Sequence, residues 1–211
     1  MNEDAFWALI DELSRRPGDR DERLEWLRAE LTRRPETESV AFQVRLEAAC
    51  DAAATRAVWS AANRVEGGDC TDDGLHYFTL WLVGQGRKVY DSVVADPDAL
   101  ADVAGIRALV GRHRDEWADC EWPEWEELDY VAQDVFDELT GQEDDEGEAF
   151  LDAVEEAEEE LADELDDEFG EGRGEEFAEE WEEGGELQGA RPEGVALPRL
   201  TALFPLGPSG S

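Results

Sequence analysis

Apolar residues in this chain recur at steps of three and four, and no stretch shows period-two alternation between hairpin turns. That pattern restricts the chain to helices, each burying one stripe. Asn2 can cap a first helix carrying Phe6, Leu9, Ile10 and Leu13, and Pro17-Gly18-Asp19 ends it and caps the next. Leu24, Leu27 and Leu31 line that second helix, with Trp26 near its edge; after Pro35, Thr37 or Ser39 can open a third through Val40, Val44 and Ala48. The alanine-rich run Ala52–Val65 has high helix propensity and a narrow stripe of Val58, Ala61, Ala62 and Val65, stopped by Gly67-Gly68. Thr71, Asp72 or Asp73 can cap a helix with Leu75, Phe78, Trp81 and Leu82, which Gly84 and Gly86 interrupt before a short one at Val89–Val94. Asp96-Pro97-Asp98 starts a further turn, and 103–123 reads as short helix and loop anchored by Trp117 and Trp122. Pro123 suits the first position of a helix over Glu124–Leu139 with Leu128, Val131, Val135 and Leu139 in register. The expected fold is an all-α, compact multi-helix domain.

Charge divides the 211 residues into two blocks. Residues 1–142 hold 32 acidic and 15 basic side chains, whereas 143–211 hold 25 acidic and 3 basic. The first block has the tryptophans and aliphatic residues for a core; the second mostly lacks them. We therefore read a helical domain over 1–140, a linker over 141–147, an acidic amphipathic helical extension over 148–186 and a Pro/Leu-rich disordered tail over 187–211. Within the extension, Phe150, Val154, Ala157, Leu161, Leu165 and Phe169 step by threes and fours, and Phe177 and Trp181 repeat the pattern in miniature. The other faces are nearly all Asp and Glu, without basic residues four positions away to relieve repulsion. Alone such a helix is marginal at neutral pH; an apolar groove or a basic surface would stabilise it. In the tail, LPRLTALFPL is apolar enough to dock, although solvated disorder is the expected state.

A net charge of −39 opposes a direct grip on nucleic-acid phosphates and on anionic membranes. It favours a protein partner, a basic one being the charged class it suits, with simple solubility as the plain alternative. No apolar run approaches the roughly 20 residues a bilayer requires. Cys50, Cys70 and Cys120 are odd in number and widely spaced, which fits buried thiols in a reducing compartment, hence the cytoplasm, rather than a disulfide frame or zinc site.

The densest set of reactive groups lies at 69–76. Asp72 and His76 are four residues apart and would share a helix face able to approach a divalent metal, while Cys70 could be a nucleophile beside a helix N-terminus. Capping by the Thr71–Asp73 turn is the simpler reading, and two histidines in the chain are few for a metal site, so no metal or cofactor is expected. Gly84-Gln85-Gly86-Arg87-Lys88 lacks the spacing of a phosphate loop. Its glycines let Trp81 pack closely, and Arg87 could pair with Asp72 or Asp73. Trp59, Tyr77 and Trp81 read mainly as core; exposed beside Arg87 they would form a pocket or a hot spot for a partner.

Phe6-Trp7, Trp59-Ser60-Ala61-Ala62, the Gly67–Gly74 turn GGDCTDDG, Tyr77-Phe78, Trp81-Leu82, Gln85-Gly86-Arg87 and Asp96-Pro97-Asp98 together form a pattern. It resembles the bacterial domain of unknown function 4240 family over most of residues 1–140. The resemblance implies one helical domain in a soluble bacterial protein and assigns no activity, substrate or cofactor; His76 departs from the pattern.

The function expected from these features is a protein-interaction module: regulatory or immunity-type binding to a basic partner, with polyanion mimicry by the extension. The alternative is a small-ligand binder or enzyme using residues 69–88 (Asp72, Asp73, His76, Tyr77, Trp81 and Arg87, with Trp59). A third role for the extension is a solubilising appendage whose amphipathic helix (Phe150, Val154, Leu161 and Leu165) folds back on the domain.

Overall fold

A computed structural model describes residues 1–68, 70–141, 147–169 and 195–205, with the backbone alone for 163–169. Among these residues all regular structure is helical: α1 Glu3–Arg15, α2 Arg20–Thr32, α3 Glu36–Ala53, α4 Arg56–Glu66, α5 Asp72–Val83, α6 Arg87–Ala95, a 3-10 turn Pro97–Asp102, α7 Ala104–Leu109, two short 3-10 turns at Arg114–Glu116 and Asp119–Glu121, α8 Glu127–Thr140, α9 Glu148–Phe169 and α10 Pro198–Leu203.

The caps follow the local sequence closely. Asn2 accepts from Ala5 N–H, Asp19 and Glu22 form a reciprocal capping box, and Thr71 accepts from Gly74 N–H, so Asp72 and Asp73 occupy the first turn of α5. Three boundaries differ from expectation: α3 begins at Glu36 directly after Pro35, so Thr37 and Ser39 lie inside the helix and do not open it. The Ala52–Val65 run is two helices, because Thr55 takes an extended conformation and its hydroxyl caps α4 at Val58 N–H. Pro123 does not begin α8; Trp125 is buried ahead of it and donates its backbone N–H to Tyr77 O at 3.0 Å, which postpones the helix to Glu127.

At the centre lies α3. It buries Val40, Phe42, Val44, Leu46, Ala49, Cys50 and Ala53, and also Gln43 and Arg45, so it has no wide solvated face. Helices α1, α2, α5, α8 and α9 pack on it. Phe6 of α1 meets Phe42 at 5.4 Å between ring centroids, and Tyr90 of α6 donates its hydroxyl to Ala49 O at 2.7 Å. Small residues decide how closely elements approach. A Cβ on Gly84 would lie 2.5 Å from the Trp125 ring, and Gly86, at φ +93°, has Asp11 and Ser14 of α1 against the space a side chain would need.

The extension docks through its apolar residues. Phe150 and Val154 of α9 are buried, Ala149, Ala153, Ala157 and Leu161 pack against the core, and Phe150 meets Phe136 of α8 at 5.4 Å. The chain end supplies a correction. Although 187–211 reads as a disordered tail, its described part forms α10, with Leu197, Leu200 and Phe204 buried where it packs on α4 and the Pro97–Asp102 turn. A Leu-rich stripe at helical spacing behind a helix-starting proline outweighs a Pro/Gly-rich composition. Leu165 lies beyond the described side chains, and Phe177 and Trp181, with most of the 141–147 linker, fall outside the described residues.

Replacing Phe150 by Ala is expected to lower stability to urea by about 3 kcal/mol, whereas Leu151→Ala, on the exposed side of the same helix, should stay within about 0.5 kcal/mol. Equal effects of the two substitutions would mean that α9 does not dock by this stripe.

Candidate functional site

The residues singled out at 69–88 are distributed rather than gathered. Asp72 and Asp73 are exposed at the start of α5. Trp59 and Trp81 are core: Trp59 donates its indole N–H to Cys70 O at 3.3 Å, and Trp81 lies 5.5 Å from the Phe78 ring. Tyr77 is half-buried, with Glu126 beside its hydroxyl pushing that group's pKa up. Arg87 pairs not with Asp72 or Asp73 but with Glu3, Asp4 and Asp91, and lies over Trp7 at 5.8 Å. Its backbone N–H donates to Asp11 at 2.9 Å. Arg87 therefore fastens α6 to α1, and the Gly-Gln-Gly-Arg segment is a joint between helices.

His76 has a different neighbourhood. Its Nε2–H donates to Asp129 of α8 at 3.0 Å, and Asp129 also accepts from Gln43 Nε2 at 3.2 Å. Gln43 donates in addition to Glu47, one turn on along α3, at 2.7 Å. Glu158 of α9 faces Glu47 closely enough to share a hydrogen bond, and Asp51 lies near. Three helices, α3, α8 and α9, thus bring carboxyls to one histidine of α5 and one amide of α3. Burial, reinforced by the charges of Glu158 and Asp129 and opposed by the Gln43 bond, pushes the Glu47 carboxyl up to about 7. The bond to Asp129 raises His76 above its ordinary value against the effect of burial. Sequence reasoning selected His76 here but missed Glu47 and Asp129; the available signal was Glu47 standing one turn from Gln43, between Leu46 and Ala48 of α3.

A second feature is a cavity of about 480 Å³ lined by Glu66, Arg114, Asp115, Trp117, Trp122 and Glu124. Trp117 and Trp122 meet edge to face at 4.9 Å, and Arg114 holds Val65 O through two N–H groups at 3.1 and 2.9 Å. The Trp117 indole nitrogen is buried without a hydrogen-bond partner among the described residues. Cys70 adjoins this region near Glu66 and Glu124. Burial, then those carboxylates, push its thiol up, so it is a neutral thiol at neutral pH and not an activated nucleophile. Burial raises the Cys50 thiol likewise. Cys120 corrects the expectation of buried thiols, since it is exposed.

Among the described residues no group of three or more His, Cys, Asp or Glu is placed to hold a metal ion, and no helix is long and apolar enough to cross a membrane. What the fold and these clusters define is an all-α domain with an acidic helix docked against it. The family model described as a protein of unknown function, DUF4240, matches residues 1–138, and the chain belongs to that family. The match ends before α9 and α10. No curated protein and no solved structure matches the chain.

The proton balance of the Glu47 cluster gives a pH dependence of fixed sign. Folded Glu47 keeps a proton up to about pH 7 that the unfolded chain releases near 4.5, and folded His76 likewise holds its proton above 6.5. Their contribution to stability is complete at low pH and is lost as pH rises through these folded values. Glu47→Gln is expected to raise stability to urea at about pH 8, leave it nearly unchanged at about pH 5, and flatten the slope between them. A variant that keeps the wild-type slope would remove Glu47 from this role.

Proposed function

We propose that this protein is a protein-interaction module of the cytoplasm that presents the acidic face of α9 to a basic partner. The observation that carries this reading is the division of α9 itself. Phe150 and Val154 are buried and fix the helix to the domain, while Asp152, Glu155, Glu156, Glu158, Glu159 and Glu160 are exposed. The helix contains no Lys or Arg, so nothing within it neutralises that face. An anchored helix holds its charges in register, and a partner meeting them does not have to order them first, which lowers the entropic cost of binding. The summed negative field accelerates encounter with cationic surfaces and repels nucleic acid and anionic lipid. Regulatory or immunity-type binding, with the acidic face in place of a polyanion, is the specific form of this role.

A second reading, a small-ligand site, is favoured by the Trp117/Trp122 cavity rather than by the Asp72, Asp73 and His76 set. Trp117 and Trp122 line it with the carboxylates of Glu66, Asp115 and Glu124, and the Arg114 guanidinium lies 5.9 Å over the Trp117 ring, a mixed polar and aromatic lining suited to a small ligand.

The first reading is tested with a lysine-rich peptide as the basic probe. Glu155, Glu156, Glu159 and Glu160 changed together to Gln should weaken its binding at least tenfold at low salt. The wild-type affinity should fall steeply with added salt while the variant's falls less. Binding that is indifferent to both salt and these substitutions would remove the acidic face from the function.

A further inference from the structure

The attachment of α10 differs in kind from that of α9, because it centres on a buried carboxylate. Asp98, 5% exposed, accepts the backbone N–H of Arg199 at 3.1 and 3.0 Å through its two oxygens, and that of Leu200 at 2.9 Å. Pro198, the first residue of α10, has no N–H to offer, so these are the first two donors of that turn. Arg199 also pairs through its side chain with Asp102. Leu197, Leu200 and Phe204 then follow at steps of three and four and are buried, with Val195 and Leu203 packed at the margin. The segment 195–205 has one basic and no acidic residue, and it sits on a block carrying 32 acidic and 15 basic side chains.

The two halves of this contact have different origins in the chain. The receiving surface, α4 with the Pro97–Asp102 turn and Asp98, lies within the residues that the family model matches; the occupant lies outside them, beyond 25 residues of mainly acidic and glycine composition at 170–194. Recognition through backbone N–H groups fixes the position of a helix start without reading its side chains, whereas three apolar anchors and one cation supply the selection. This is the arrangement of a docking surface for a short linear segment, here filled by the chain's own end.

We propose that the surface formed by α4, the Pro97–Asp102 turn and Asp98 is a peptide-docking site, that it takes a short helical segment of the pattern Leu-Pro-basic-Leu-x-x-Leu-Phe from a partner protein, and that residues 195–205 occupy it in cis as a displaceable plug. The site is separate from the acidic face of α9, so this inference and the function proposed above can fail independently. A partner segment would bring its own proline-started turn to Asp98, its cation to Asp102, and its apolar residues to the positions of Leu197, Leu200 and Phe204.

The test uses the full chain and a fluorescein-labelled peptide of residues 195–205, read by fluorescence anisotropy. Wild-type protein, self-occupied, should bind the peptide weakly. Leu200→Asp with Phe204→Asp in the chain should expel the plug and tighten peptide binding at least tenfold. Adding Asp98→Ala to that variant should weaken it again at least tenfold. Circular dichroism and the urea midpoint establish that each variant is folded. Should the double substitution prevent folding, Leu200→Ala alone supplies the milder opening, with an intermediate gain expected, and a peptide carrying the same Leu200→Ala change should compete poorly. A folded, opened variant that does not bind the peptide, or binding that ignores Asp98, overturns the proposal. So does a wild-type dimer in light scattering that becomes monomeric on Leu200→Asp with Phe204→Asp, because the occupant would then be the tail of a second copy.

Discussion

Five helices, α1, α2, α5, α8 and α9, are placed by their contact with α3, a helix without a wide solvated face. Where a helix surrounded in this way carries polar groups on its covered faces, they must find partners inside the protein. Gln43 and Glu47 do so among Asp129, His76 and Glu158, at the meeting of α3, α5, α8 and α9. The consequence reaches beyond stability. The only carboxyl in this group that burial pushes to about 7 is on the central helix, so the protonation state of the core is linked to whether the acidic helix outside it sits comfortably.

The docking of α9 can be weighed with magnitudes. Like-charged pairs four apart, such as Asp152–Glu156, Glu155–Glu159 and Glu156–Glu160, oppose an isolated helix by about 0.2–0.5 kcal/mol each. Burying Phe150 and Val154 favours the docked helix by roughly 1.5–3 kcal/mol apiece. Two anchors therefore outweigh the repulsion along this stretch, and repulsion sets the margin rather than the outcome. Charge density alone would have suggested a solvated chain. Position matters more, because Asp152, Glu155, Glu156, Glu159 and Glu160 are exposed while Phe150 and Val154 are buried.

Much of the fold was legible because helices carry local marks. Asn2, Asp19 and Thr71 stand where caps were expected, and the apolar registers of α1, α2, α5 and α9 lie on buried faces. The failures have two physical causes, a competing local cap at one boundary and tertiary contacts overriding a local preference elsewhere. Alanine propensity ran through Ala54 and Thr55 in the sequence, but the threonine hydroxyl found a helix start to cap. Pro123 was a good helix opener until Trp125 was needed against Gly84. The candidate site was less legible than the fold. Arg87 looked available in an acidic chain and is instead committed to α1, an assignment that only the spatial approach of Glu3 and Asp4 reveals. Asp98 was visible as part of an Asp-Pro-Asp turn, yet its burial depends on a helix 101 residues away, and no spacing rule connects the two.

The extension, finally, is better described by its two attachments than by its composition. A segment carried by the same chain as its site meets that site at an effective concentration of about 1 mM. A cis plug with an intrinsic dissociation constant of about 10 μM would then occupy the α4 surface about 99% of the time, although the same peptide added free would bind only modestly. Such a tether makes weak contacts sufficient, and α10 is held by three apolar anchors and a carboxylate receiving two backbone N–H groups. A partner need not overcome a tight complex; it must supply a roughly hundredfold advantage, which a second point of attachment on the acidic face of α9 would provide through the same effective-concentration arithmetic.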